Sequence, residues 1–254
     1  MYQKLQVLEN RTVIEGVMRL RVQASEMAAQ TQPGQFYMLK AWEGNVPFLM
    51  RPISVNSADQ NAGTITFLYK VVGEGTKLLA ALQTGDALWA LGPLGHGFPV
   101  PEGAKRVAVI GRGIGIAPTR YLIETCIRRG IEVHAYLSAK REEEIFDRAY
   151  FESLGAHVTA STARDTRVTN ALEEDCRTLS FDAAYSCGSK RLGAHMRDLH
   201  RQYGFPAYIS LEERMGCGIG ACKGCVCRVN TEDGSEEYSL VCKCGPVYPV
   251  EKVL

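Results

Sequence analysis

The chain has 254 residues, 46% hydrophobic and 22% charged, with a formal net charge of +1. That length allows one large domain or two to three smaller ones, each with a sizeable core, and the composition is that of a globular protein without low-complexity tracts. So small a net charge offers no field to gather nucleic acid or anionic lipid, and no apolar run approaches membrane-spanning length, so neither partner is expected.

The first residues, Met1-Tyr-Gln-Lys-Leu-Gln-Val7, lack a charged stretch followed by an apolar core, so no signal peptide is expected. Together with nine cysteines, an odd number, this points to reduced thiols in a cytoplasmic setting.

Residues 1 to about 100 read as β structure. Short alternating runs, Thr12-Val-Ile14, Met18 to Val22, Gln35 to Leu39 and Thr64 to Tyr69, recur between Gly, Pro and Asn turns. Such even spacing predicts a closed antiparallel barrel. Within it lies Arg51-Pro52-Ile53-Ser54, where an arginine at a strand end followed by a small hydroxyl can grip a pyrophosphate and face a planar ring. Taken alone, it also reads as a surface arginine before a turn. Gly75-Thr76 precedes an apolar helical stretch, Lys77 to Leu82, and offers backbone N–H groups to phosphate. Leu91-Gly-Pro-Leu-Gly-His-Gly-Phe98 closes the region.

From Pro101 the period changes. Arg106 to Gly111 is a buried-strand run entering Gly111-Arg-Gly113-Ile-Gly115-Ile-Ala117-Pro118, followed by a helix from about Thr119 to Arg129. Strands at Ile131 to Leu137, Ala156 to Ala160 and Asp182 to Cys187 alternate with helices at Glu142 to Leu154 and Lys190 to Tyr203. This alternation predicts a parallel sheet with a nucleotide at the strand C-terminal ends. The glycine run departs from G-x-G-x-x-G because Ile116 stands at the third position, yet the turn still places amides against a pyrophosphate. A plain tight turn is the competing reading. The five histidines, His96, His134, His157, His195 and His200, read as isolated structural or surface groups.

The most specific stretch is the last. Cys217, Cys222 and Cys225 make C-x4-C-x2-C and Cys242 follows, the plant-type spacing for a [2Fe–2S] cluster. Glycines 216, 218, 220 and 224 let the backbone wrap a compact inorganic core. A four-thiolate zinc site from Cys222, Cys225, Cys242 and Cys244 is the rival, but it leaves Cys217 and the glycine run unexplained. Cysteines that merely fill a core would not crowd one short glycine-rich loop. Cys227 and Cys244 are surplus to a four-ligand site.

Arg51-Pro-Ile-Ser54, Gly73-Glu-Gly-Thr76, Gly92-Pro-Leu-Gly95, the glycine run to Pro118, and Cys187-Gly188 resemble, in order, the ferredoxin–NADP reductase superfamily. Leu211-Glu-Glu-Arg-Met-Gly-Cys217 and Val241-Cys-Lys-Cys-Gly-Pro-Val-Tyr248 narrow the resemblance to the electron-transfer subunits of dihydroorotate dehydrogenase B. It covers essentially the whole chain. It implies an FAD-binding barrel at 1–100, an NAD-binding α/β domain at 101–208 and a [2Fe–2S] domain at 209–254. Arg51, Pro52, Ile53, Ser54, Leu68, Tyr69, Lys70, Gly75 and Thr76 would hold FAD, with Ser54 near the reactive flavin nitrogen. Gly111, Gly113, Gly115, Pro118, Cys187 and Gly188 would hold NAD, and Cys217, Cys222, Cys225 and Cys242 the cluster. An FMN-containing catalytic subunit in a heterotetramer would supply the substrate chemistry, for which no acid–base pair is evident in this chain.

Three positions depart from that pattern. Arg112 stands where the family usually has glycine, and Cys244 where it has a non-ligating residue. Lys140 and Arg141 follow the second strand, where added positive charge can favour a 2′-phosphate, so the sequence leaves the choice of NAD over NADP open. Two other functions fit parts of the sequence: a self-sufficient NAD(P)H reductase of ferredoxin or sulfur compounds, and a non-enzymatic, zinc-stabilised interaction protein.

Overall fold

The computed structural model describes residues 1–162, 167–231 and 233–253. β1 (Tyr2–Ile14), β2 (Val17–Gln23), α1 (Ser25–Gln30), β3 (Phe36–Lys40), β4 (Arg51–Asp59), β5 (Thr64–Lys70), α2 (Glu74–Ala80) and β6 (Ala87–Leu94) make the first part of the fold. Its strands close a barrel in the order β1-β2-β5-β4-β3-β6, antiparallel at every seam. Alternation supplies the inward face: Leu5 and Val7 on β1, Leu20 and Val22 on β2, and Ile65 and Phe67 on β5 are all buried. Each such side chain contributes about 1.5–3 kcal/mol of burial. Tyr37 fits among them because its hydroxyl meets Thr31 Oγ1 at 2.8 Å, so its own polar atom is paired.

The second part is doubly wound. β7 (Arg106–Arg112), α3 (Arg120–Arg128), β8 (Glu132–Ser138), α4 (Arg148–Ser153), β9 (His157–Ser161), α5 (Arg167–Thr178), β10 (Ala183–Cys187), α6 (Lys190–Tyr203) and β11 (Ala207–Ser210) follow in chain order. β7 is buried on both faces: Val107 and Val109 pack with α3, while Ala108 and Ile110 pack with α5 and α6. That double burial explains its unbroken apolar run. The helix expected over Glu142 to Leu154 is split, with a 3-10 turn at Glu142–Glu144 and α4 proper starting only at Arg148. Asp147 separates them at φ 60°, a left-handed conformation that breaks the helix. Residues 167–178, for which the sequence reading gives no element, form α5. Its Val168, Leu172 and Cys176 lie four apart and are buried.

The last segment adds β12 (Val226–Asn230), β13 (Glu236–Leu240), α7 (Val241–Cys244), β14 (Val247–Pro249) and α8 (Val250–Val253). β12 and β13 form a hairpin, while β14 joins the large sheet antiparallel to β11, giving the order β14-β11-β10-β7-β8-β9. Phe36 and Met38 of the barrel pack into one cluster with Cys225, Val229, Val241, Cys242 and Tyr248. The cysteine loop is therefore seated on β3.

Barrel and sheet are fastened by a buried polar network. Asp147 Oδ1 accepts from Arg19 of β2 at 2.6 Å and from Arg120 of α3 at 3.1 Å. Glu124 accepts from Arg120 at 2.8 Å and from Ser57 of β4 at 2.5 Å. The side chains of Arg19, Asp147, Arg120 and Glu124 are at most 16% exposed, so each charge depends on its partners. Asp147→Asn keeps a residue tolerant of the left-handed backbone but removes the charge between two arginines. It should cost about 3–5 kcal/mol, read as a lowered urea midpoint for unfolding at an unchanged m value.

Candidate functional site

The C-terminal ends of the parallel strands face the open end of β4 and the end of β5. Between them lies a cavity of about 430 Å³. Arg51, Pro52, Ile53, Ser54, Leu68, Tyr69, Lys70 and Thr76 line it from the barrel side. Ile114, Ala117 and Pro118 line it from the glycine-rich turn, and Leu211, Glu212, Glu213, Met215 and Pro246 from the last segment. The volume is that of a pocket enclosing a ring-sized ligand portion.

Three observations fit these walls to a flavin diphosphate. Arg51 has no carboxylate partner among the described residues: its guanidinium donates to the carbonyls of Leu49 and Met50 and lies 5.5 Å over the Trp42 ring. A Cβ at Gly75 would lie 2.4 Å from Arg51 Nε, so any larger residue there would push the guanidinium from its place. The Tyr69 hydroxyl is buried without a partner, and burial holds it well above the usual phenol range. Ser54, paired opposite Phe36, likewise has no hydrogen-bond partner among the described residues. A charged fork and two hydroxyls are thus left for something other than protein. Thr76 differs: its hydroxyl donates to Gly73 O at 2.9 Å and accepts from Val72 N at 2.9 Å, closing the turn ahead of α2.

The glycine-rich segment from Gly113 to Thr119 is a 3-10 turn between β7 and α3. A Cβ at Gly115 would lie 2.6 Å from the carbonyl oxygen of Cys187, so only glycine lets this turn close onto the end of β10. Gly111, Gly113, Gly115 and Cys187 are not among the residues that line the cavity. Cys187 is buried, and its thiol is pushed well up by burial and then by Glu212, with Ser210 opposing. The thiol is therefore neutral. Gly188 opens into a second cavity, about 520 Å³, which shares Leu211, Glu212 and Glu213 with the first as a common wall.

The Leu211–Met215 wall is what sequence reasoning missed. The residues are conspicuous in the sequence, but they read there as the lead-in to the cysteines, and only the fold turns them toward the barrel. Glu212 lines both cavities and is exposed to solvent, with protein crowded near its carboxyl. Burial raises its carboxyl above the usual range, and Lys70 across the cavity partly offsets this.

In the cysteine loop, backbone N–H groups converge on sulfur. Ile219 N and Cys222 N lie 3.5 and 3.4 Å from Cys217 Sγ, Gly224 N lies 3.4 Å from Cys222 Sγ, and Cys242 N lies 3.4 Å from Cys225 Sγ. Gly220 N reaches Cys242 Sγ at 3.1 Å. Burial disfavours the Cys217 thiolate, but the amides of Cys222 and Ile219 outweigh it and bring the thiol down to about 6. Cys242 is pushed up to about 12 by burial and by its hydrogen bond with Cys225. Of the two surplus thiols, Cys244 is exposed and Cys227 is half-buried against the apolar cluster that holds Cys225 and Cys242.

Spacing also bears on the metal. Tetrahedral zinc holds its thiolates at about 2.3 Å, which puts sulfurs roughly 3.8 Å apart. Among the described residues, no three cysteine sulfurs lie within 4.8 Å of one another.

Comparison with known proteins agrees with this geometry. The family profile "Iron-sulfur cluster binding domain of dihydroorotate dehydrogenase B" matches residues 212–254, and "Oxidoreductase FAD-binding domain" matches residues 4–98. The chain is 37% identical over 258 residues to the dihydroorotate dehydrogenase B (NAD(+)) electron transfer subunit of Bacillus cereus (strain Q1), covering 99% of this chain and 98% of that protein. The corresponding subunit of Bacillus mycoides (strain KBAB4) is 37% identical over 259 residues, with the same coverage. Among solved structures, an NADH-dependent reduced ferredoxin-NADP oxidoreductase superposes with a TM-score of 0.83 at 23% identity, covering 98% of this chain and 89% of its own. A ferredoxin NADP+ reductase from Neisseria gonorrhoeae with bound FAD and NADP gives 0.62 at 21% identity, over 80% of this chain and 92% of its own. At these identities the two structures speak for the fold alone.

Two outcomes test the site. Cys242→Ser should abolish the reduced-cluster signal in electron paramagnetic resonance, whereas Cys244→Ser and Cys227→Ser should keep it; the opposite result for Cys242 and Cys244 would exchange their roles. Glu212 has its folded pKa raised, so the cost of its charge appears as pH climbs through the ordinary carboxylate value toward the raised one. Glu212→Gln should therefore raise the thermal midpoint near pH 8, with the difference shrinking toward about pH 4.

Proposed function

The chain belongs to the family of electron transfer subunits of dihydroorotate dehydrogenase B, and we propose that it carries electrons from the flavin of a partner catalytic subunit through a [2Fe–2S] cluster and FAD to NAD+. The observation that carries this reading is the continuity of one short segment. Met215 lines the cavity walled by the flavin motif, and Cys217, two residues on, opens the cysteine loop. Two residues span at most about 7 Å, so loop and cavity are a short step apart.

The cavity walls and the family membership support the following roles. Arg51 offers a planar, permanently charged fork to the pyrophosphate, and the Tyr69 hydroxyl and the first-turn amides at Gly75 and Thr76 add donors. Pro52, Ile53 and Leu68 flank the flavin ring, Lys70 sets positive charge at the cavity rim, and Ser54 presents its hydroxyl to the reactive nitrogen. Gly111, Gly113, Gly115 and Pro118 shape the turn against the dinucleotide, with Gly188 and the neutral Cys187 thiol beside the nicotinamide. Cys217, Cys222, Cys225 and Cys242 ligate the cluster. When bound, nicotinamide exchanges hydride pairs, the cluster single electrons and flavin both, so the chain joins two electron counts.

The three functional divisions run 1–100, 101–208 and 209–254. A partner subunit bearing FMN oxidises the organic substrate, and the assembly is a heterotetramer in the cytoplasm. Among the described residues no helix is long and apolar enough to cross a membrane.

The chain purified alone with both cofactors should oxidise NADH with an artificial acceptor but not oxidise dihydroorotate. Adding the catalytic subunit should restore dihydroorotate-dependent NAD+ reduction, and loss of the cluster should abolish it while NADH–FAD exchange survives. Dihydroorotate-dependent reduction by this chain alone would overturn the division of labour. Arg51→Ala removes one charge-assisted phosphate contact, worth about 1.5–3 kcal/mol. FAD affinity should fall roughly ten- to a hundredfold, read by titrating flavin into the stripped variant.

A further inference from the structure

At the far end of the parallel sheet from the nucleotide turn, the first residues of three strands bring together a set of side chains that electron transfer does not use. We propose that Glu132, His134 and His157 form a binding site for a borderline divalent transition metal of the Zn²⁺, Ni²⁺ or Cu²⁺ class.

Register creates the site. Arg106 of β7 pairs opposite Glu132 of β8, and His134 of β8 pairs opposite His157 of β9. Glu132 and His134 are two residues apart on one strand, so they share a face. Both imidazoles aim Nε2 at one carboxylate oxygen: Glu132 Oε1 is 2.8 Å from His134 and 3.8 Å from His157. The three donor atoms all lie within 4.8 Å of one another. Metal–nitrogen and metal–oxygen bonds of about 2.0–2.2 Å need tetrahedral ligands roughly 3.4 Å apart. His157, 65% exposed, has the freedom to close that gap. Two imidazoles and one carboxylate are the donor set that Zn²⁺, Ni²⁺ and Cu²⁺ accept, and the exposed side leaves room for water in the remaining positions.

The surrounding groups orient these ligands. Arg106 Nη2 holds the other carboxylate oxygen, Glu132 Oε2, at 2.8 Å, so Oε1 is left turned to the histidines. His134 Nδ1 lies 3.7 Å from Asp175 Oδ2, which also accepts from the Tyr136 hydroxyl. At that distance Asp175 sets a negative charge beside the ring without a direct hydrogen bond to it. Phe181 meets the same ring edge-on at 5.5 Å. Arg106 acts in both directions. Its charge opposes a cation, yet its hydrogen bond, followed by that of His134, draws the Glu132 carboxyl down to about 2. The carboxylate is therefore ionised and available as a ligand. Bound metal would clip β8 to β9 without touching flavin or nicotinamide.

The test uses the holoprotein, with FAD and cluster in place, dialysed against nickel chloride at about pH 7.5 and about pH 5.5. The wild type should retain one more equivalent of Ni²⁺ per chain at the higher pH than Glu132→Gln or His157→Ala, with affinity reduced at least about tenfold in each variant. That equivalent should be lost at the lower pH. Flavin and cluster absorbance and NADH oxidation should be the same in all three proteins, which shows that the variants fold and that the nickel is not held by the cysteine loop. Equal Ni²⁺ retention by wild type and both variants, or retention that persists at the lower pH, would overturn the proposal.

Discussion

The cavity exists only while the barrel and the parallel sheet hold one fixed relation, and β4 enforces it. Its start carries Arg51 to Ser54 into the cavity, and further along Asn56 donates from Nδ2 to the carbonyl of Ala117 at 2.8 Å. Asn56 is fully buried, so that bond directly connects the barrel to the glycine-rich turn. The pairing of β4 with β5 shifts register between Val55 and Ser57. A bulge of this kind lets successive residues leave the regular alternation. Asn56 and Ser57 thus both reach the second part of the fold, Ser57 meeting Glu124 on α3. One strand therefore supplies the flavin-facing wall and the two hydrogen bonds that position the nucleotide turn against it. Losing such a contact strands a buried polar group at about 1–3 kcal/mol, large against the marginal stability of any domain.

The cysteine loop depends on the same frame from the other side. Met38 and Phe36 of β3 pack with Cys225, Cys242 and Tyr248, so the loop rests on the strand next to β4. The carbonyl of Gly245 accepts from His96 N at 2.6 Å and that of Pro246 from Leu211 N at 2.9 Å, tying the end of the barrel and the end of β11 to one short stretch. Backbone amides converge on these sulfurs, and at Cys217 they outweigh burial. Amide donors are fixed by the fold, so they need not reorganise when a cluster changes charge by one electron.

Local chemistry was legible in the sequence and register was not. The cysteine spacing, the Arg51–Ser54 motif and the glycine run are each a few residues long, and each marks its place without knowledge of the rest. The barrel and the parallel sheet followed from alternation and from the change of period at Pro101. Missing were features that arise only from pairing distant segments. β14 contributes an edge strand to the large sheet from beyond the cysteine loop, a three-residue element too short to show periodicity. Glu212 and Met215 reach the flavin wall because β11 ends there. His134 and His157, twenty-three positions apart and unremarkable singly, become neighbours through the β8–β9 register. Even α5 carried a readable signal in Val168, Leu172 and Cys176, diluted by charged residues between them.

Register and ion pairing also bear on which dinucleotide the turn accepts. Lys140 and Arg141 follow β8, and on sequence alone two cations there would welcome a 2′-phosphate. In the fold Arg141 faces Glu143 at 3.0 Å and Glu144 at 3.3 Å, and Glu142 pairs with Arg148 at 3.4 Å. These are largely exposed pairs, each worth about 0–1 kcal/mol, so pairing alone would not withhold Arg141 from a phosphate. The larger effect is the sum of charge. Glu142, Glu143 and Glu144 balance Lys140, Arg141 and Arg148 charge for charge, so a dianionic phosphate arriving there would meet a neutralised patch in place of a basic pocket. A ribose hydroxyl, by contrast, can donate to a carboxylate at that strand end, as it does to the acidic residue of other dinucleotide folds. The acidic 3-10 turn between β8 and α4 thus favours NAD, and it does so through residues 142–144, which a sequence reading assigns to a helix.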